Sequence, residues 1–273
     1  METQLSKHFT PRVLPLALMA LSICVTAYGE ASNDVVSECM ATMPEVLVER
    51  IPDSERYVVG AALSDSANLD SGELHSKITD SKQVVGYWQP GRLLGLKELN
   101  YKSGLNRPGV VQKDFRTGEY REARVRGDTL VMFYKEGKRL DNWLNVNDDF
   151  PKPDAVEKSV KQKQVVDAGF DHFVRESWTS LKSGSELNFY FASPVHETNI
   201  RLRAKISASK CSESSALCVV VEPANGLLRL FAGELVLSYS EDKKLMSFKG
   251  VTNIADADGK SKSREIIYQY FGK

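Results

Sequence analysis

The side chains best suited to proton transfer or metal binding are few and scattered. Histidine occurs at His8, His75, His172 and His196, and only His172 has a carboxylate at useful spacing, Glu176 four residues on. On a helix that spacing puts both groups on one face, where an exposed pair contributes only about 0.3–0.5 kcal/mol. The run Asp256-Ala257-Asp258-Gly259, with Glu265 beyond it, is similar to part of a calcium-binding EF-hand loop. Ile254 stands where the first aspartate belongs, and Lys260, Lys262 and Arg264 add positive charge, so a hairpin turn fits better. Ser207 to Lys210 and Ser240 to Lys243 match Ser-x-x-Lys outside any helix start, and no Gly-x-Ser-x-Gly or phosphate-cradling glycine loop is present. Arg126-Gly127-Asp128 spells an adhesion tripeptide, but a tight hairpin needs such residues for backbone reasons alone. The expectation is no catalytic residue, no metal ligand and no cofactor.

Thiol chemistry depends on the compartment. Lys7 and Arg12 precede an apolar run from Val13 to Val25, followed by the small-residue pattern Ala27-Tyr28-Gly29. This predicts a secretory signal peptide over residues 1–29 and a periplasmic location. The run is shorter than the roughly 20 apolar residues of a membrane span. An alternative reading makes Leu21-Ser22-Ile23-Cys24 a lipobox with Cys24 acylated, although Ile23 is large for its position. Export would place Cys39, Cys211 and Cys218 where disulfides persist. Cys211 and Cys218 flank a polar loop between two strands, which predicts a bridge between them and leaves Cys39 as a buried thiol on the apolar side of the first helix.

The formal net charge is zero and no basic domain stands out, so the electrostatic footprint of nucleic-acid binding is missing. No second long apolar run follows the first, so no transmembrane segment is expected in the mature chain.

The elements that must position these residues are mostly strands. Val35, Val36, Cys39, Met40 and Met43 recur at helical spacing from a start capped by Asn33 or Asp34, and Pro44 ends this helix or opens another. Tyr57 to Leu63 reads as a strand, and Ser64 to Gly72 as a surface loop. A meander follows over Val84–Trp88, Leu93–Tyr101, Val110–Phe115, Tyr120–Arg126 and Thr129–Tyr134. Asp141 to Gln164 reads as a polar linker. The principal helix spans Asp167 to Gly184, with Asp167 as its cap and Gly184 just past its end. Phe170, Phe173, Val174, Trp178 and Leu181 share its apolar face, while Asp171–Arg175 and His172–Glu176 form exposed pairs. Beyond it, Ile200, Leu202, Ala204 and Ile206 alternate with a solvated row of Arg201, Arg203 and Lys205. Further strands are expected over Leu187–Ala192, Cys218–Val221, Glu234–Tyr239, Leu245–Lys249 and Arg264–Tyr270.

The segments DAGFDHFVRESW (167–178), LNFYFASP (187–194), LMSFKGVTNIADADGK (245–260), REIIYQY (264–270) and LNYKSGLNRPGVVQKDFRTGEYREA (99–123) resemble a family of uncharacterised periplasmic proteins of Gram-negative bacteria. The resemblance covers roughly residues 75 to 271 and implies a domain of unknown function, with no site residues to transfer. The overall arrangement is loosely similar to the LolA and LolB lipoprotein carriers, whose half-barrels hold acyl chains.

The fold class expected is mainly β (α+β): a curved antiparallel sheet or open half-barrel wrapped around one principal helix, with a short N-terminal helix. Residues 30–273 are expected to form a single β-rich domain, with the alternative of two halves, 30–146 and 165–273, joined by the polar linker. The leading functional expectation is an apolar or acyl-chain ligand held beside Phe170, Phe173, Val174 and Trp178. A ligand-free envelope interaction protein and an envelope-polymer enzyme are the alternatives.

Overall fold

A computed structural model of the chain describes residues 24–64, 67–211, 216–225, 233–256, 258 and 260–272, with side chains from Asn33 onward. Most of the expected signal segment, including the basic residues that define it, lies outside the described residues. Helix α1, Cys24–Ala41, runs through the expected cleavage point, so Asn33 and Asp34 lie inside a helix and do not cap one. Pro44 stands at the N-cap of α2, Glu45–Arg50. Among the described residues no helix is long and apolar enough to cross a membrane.

Among the described residues fifteen strands form one curved, unclosed sheet. In its first half β1 (Arg56–Leu63), β2 (Leu69–Ser76), β3 (Lys82–Gln89), β4 (Arg92–Asn100), β5 (Gly109–Asp114), β6 (Glu119–Arg126), β7 (Thr129–Lys135) and β8 (Val156–Ser159) pair in sequence order as a meander. The second half runs β9 (Gln164–Val166), β10 (Leu187–Ser193), β11 (Thr198–Ile206), β12 (Leu217–Pro223), β13 (Leu235–Tyr239), β14 (Leu245–Val251) and β15 (Ser263–Tyr270). The halves join where β15 pairs with β1, with Val58 opposite Tyr270. Every pairing is antiparallel except β9 with β10. The expected mainly-β, half-barrel class is what the chain adopts.

Two expectations about loops are corrected. Strand β2 starts inside the stretch read as a surface loop, and its polar sequence hid it. The supposed linker contributes β8 to the sheet, and its Phe150 is buried edge-on against Phe115 at 5.9 Å.

Helix α1 lies on the outer face of the first half. There Val36 and Cys39 pack with Leu47 and Ile51 against Val59, Ala61, Leu74 and Trp88. A Cβ on Gly72 would sit 2.3 Å from the Trp88 indole and 2.5 Å from Cys39 Sγ, so the helix can approach this closely only over a glycine. Burial pushes the Cys39 thiol up to about 12, which leaves it protonated and inert.

The principal helix is broken. α3, Gly169–Glu176, and α4, Trp178–Lys182, are separated by Ser177, and Gly184 takes the left-handed conformation expected of it, with φ +85°. Phe173, Val174, Trp178 and Leu181 pack inside the second half against Phe189, Ala204, Leu217, Val219, Leu237 and Tyr239. The Cys211–Cys218 disulfide joins the start of β12 to the segment after β11, with S–S 2.09 Å and Cα–Cα 5.3 Å.

Candidate functional site

A cavity of about 740 Å³ lies between the inner faces of the two halves, closed on one side by α3. That volume falls within the roughly 300–1,000 Å³ of small-molecule sites. Period-2 geometry makes each strand give alternate side chains to it. On β2 these are Glu73 and His75, on β3 Gln83, Val85 and Tyr87, and on β4 Lys97. The second half supplies Phe191, Leu202, Val221, Leu235, Leu237 and Phe248. One wall is therefore polar and aromatic, and the other is apolar.

The polar wall is cross-linked by ion pairs. Lys97 Nζ donates to Asp167 Oδ1 at 2.7 Å, and the Lys97 side chain is only 3% exposed. Burial opposes its charge, but Asp167 and the Tyr87 hydroxyl outweigh that and raise its pKa. Asp167, expected to cap the helix, has φ +42° and instead accepts from Lys97 and from the amide of Ala168 at 2.7 Å. Ala168 occupies the N-cap and makes no side-chain cap bond. Glu73 sits 3.0 Å from His75 Nε2. Burial pushes its carboxyl up, yet His75, Tyr268 and Lys97 together hold it below the usual range.

Helix α3 turns its polar side toward this wall. Arg175 pairs with Asp171 at 2.5 Å, as the spacing predicted, but both are half-buried at the cavity. His172 does not pair with Glu176. Its Nδ1 lies 3.2 Å from Arg175, while Glu176 accepts from the Asn106 side chain at 2.6 Å. Burial and Arg175 both push the His172 pKa down. Burial also raises the pKa of Asp171, and Arg175 offsets this only in part. The Tyr239 hydroxyl and Asp171 Oδ1 are both buried, with no partner in good hydrogen-bond geometry among the described residues.

Of the residues expected to contact a ligand, Phe170 lines the cavity. Phe173, Val174 and Trp178 are packed in the core beneath it, Trp178 edge-on to Tyr239 at 5.9 Å. Most of the cavity-facing side of α3 is its polar one, with Asp171, His172 and Arg175.

The other candidate motifs are structural. Asp256 accepts from the amides of Asp258 and Lys260, both at 2.9 Å, as a turn requires. Asp258 faces Arg139 at 3.3 Å, and Ala257 and Gly259 lie outside the described residues. Arg203 and Lys205 reach Glu222 on β12, at 2.5 and 3.0 Å. Arg126-Gly127-Asp128 forms the β6–β7 turn, with Gly127 at φ +56°. Among the described residues no group of three or more His, Cys, Asp and Glu side chains could hold a metal ion.

Fold and site together define a β-barrel-like, unclosed sheet around an amphipathic internal cavity. Among solved structures it is similar to a β-barrel-like protein of domain of unknown function DUF1849 from Brucella abortus. The TM-score is 0.46 at 7% identity, over 80% of this chain and 98% of that one. No family model and no curated protein matches the sequence.

Proposed function

We propose that the protein is an exported, periplasmic binder of an apolar or acyl-chain ligand, held inside the half-barrel. The observation that carries this reading is the cavity of about 740 Å³ with its continuous apolar wall of Phe191, Leu202, Val221, Leu235 and Phe248. Such a surface inside a folded chain favours a ligand that replaces water against it. The disulfide and the basic, apolar N-terminal segment support export.

Mass spectrometry of solvent extracts from gently purified protein is expected to find a bound lipid. An environment-sensitive apolar probe is expected to bind, and Leu202→Trp, which fills part of the cavity, to weaken that binding. Absence of both lipid and probe binding would overturn the reading and favour a ligand-free envelope interaction protein.

A further inference from the structure

Charge is not evenly matched around the cavity. Three carboxylates line it, Glu73, Asp167 and Asp171, and each is held by an internal partner: His75 at 3.0 Å, Lys97 at 2.7 Å and Arg175 at 2.5 Å. Two further cations, Lys77 and Lys244, line it with no internal acidic partner among the described residues. Lys77 donates to the backbone carbonyl of Ser54 at 2.8 Å. Lys244 faces Asp242 at 2.9 Å in an exposed pair, which water and salt screen.

Strand direction brings these two lysines to one end of the barrel. The start of β1 pairs with the end of β2, Arg56 opposite Ser76, and with the end of β15, Val58 opposite Tyr270. The Tyr270 hydroxyl donates to the Leu245 carbonyl at 3.0 Å, which brings in the start of β14. Lys244 Nζ lies 5.7 Å from the Tyr270 ring, and Tyr57 meets Tyr270 edge-on at 5.5 Å. Beside them Tyr57 and Ile78 are 38% and 42% exposed. The rim therefore combines two lysines with exposed apolar surface, while the apolar wall continues inward along β10 to β14.

Resting on the reading above, we infer that the ligand is an amphiphile with an anionic head, a carboxylate or a phosphate. Its head sits at the rim formed by Tyr57, Lys77, Lys244 and Tyr270, and its tail lies among Phe191, Leu202, Leu235 and Phe248. A cationic head would meet two lysines, and an uncharged head would gain nothing from them.

Four amphiphiles with the same tail test this below their micelle concentrations: dodecanoate, dodecyl phosphate, dodecyltrimethylammonium and dodecyl maltoside. Calorimetry at low salt is expected to show the two anions binding about tenfold tighter than the cation, a gap that narrows in high salt. The surface double variant Lys77→Gln/Lys244→Gln is expected to weaken anion binding about three- to tenfold and leave dodecyl maltoside unchanged. Equal affinity for all four heads, or a preference for the cation, would overturn the head-group inference while the carrier reading stands. Binding of none would overturn the carrier reading itself. Inorganic phosphate binding as tightly as dodecyl phosphate would show an anion site without a tail, and would likewise overturn the inference.

Discussion

Helices cover the two halves of the sheet on opposite faces. In the first half α1 and α2 cover the outer face, where Val59, Ala61, Leu74 and Trp88 are buried, while the inner face carries Glu73, His75, Gln83 and Lys97 beside a second buried cluster that includes Val85, Leu99, Val110 and Met132. In the second half the outer face of β11 carries Arg201, Arg203 and Lys205, and the inner face packs on α3 and α4. Where the halves meet, a polar inner face confronts an apolar one, and the cavity takes its two-sided character from that encounter. The lesson is that the face a helix leaves uncovered is the one that can carry charge toward the cavity. An inward charge is costly only where no partner reaches it.

The sharpest way to break this comparison is to cut the second half's core and the cavity wall separately. Trp178 is 7% exposed and packed edge-on to Tyr239, so Trp178→Ala is expected to cost about 3–5 kcal/mol in urea unfolding. Phe170 is half-buried and lines the cavity, so Phe170→Ala is expected to cost about 1–2 kcal/mol and to weaken binding of an apolar probe. Equal stability losses, with no difference in probe binding, would mean that core and cavity are not distinct there.

The first half is tested through its buried cation. Lys97→Met leaves Asp167 without its ion-pair partner. Removing one member of a buried pair typically costs about 3–5 kcal/mol. Asp167 keeps some solvent contact, at 19% side-chain exposure, and the Ala168 amide, so the lower end, about 3 kcal/mol, is expected. The double variant Lys97→Met/Asp167→Leu is expected to recover much of that loss. A single variant as stable as the parent would show that the pair does not hold α3 to the polar wall.

This division also explains what was legible beforehand. Alternation on β11, the β6–β7 turn, the Cys211–Cys218 bridge and the aromatic face of α3 and α4 are local patterns, readable within a dozen residues. Strand β2 was not, because Leu69–Ser76 is polar on the side that faces inward, and inward polarity looks like a loop. Lys97 and Asp167 are 70 residues apart, and nothing near either one announces the other. The polar side of α3 looks solvated in the sequence because a helix with one apolar face ordinarily turns the other to water. Here Asp171 and Arg175 line an internal cavity. The usable signal would have been a lysine midway along a leucine-rich strand, as Lys97 is among Leu93, Leu94, Leu96 and Leu99 in β4, which demands a buried partner.

The smallest expected effect tests whether α3 and the first half share one electrostatic environment. His172 is half-buried, with Arg175 beside its ring, Asp171 and Glu176 nearby, and Tyr101 edge-on at 5.5 Å. Its folded pKa is depressed, so below about pH 6.5 the unfolded chain takes up a proton that the folded chain resists. The protein is then expected to lose a fraction of a kcal/mol as the pH falls through that value. Asp171 acts with the opposite sign in the carboxylate range. Its raised folded pKa makes the folded chain bind the proton first, so stability is gained there as the pH falls. His172→Gln is therefore expected to flatten the slope of urea-unfolding stability between about pH 7.5 and 5.5. An unchanged slope in the variant would place His172 in ordinary solvent, and with it the polar side of α3 outside the cavity.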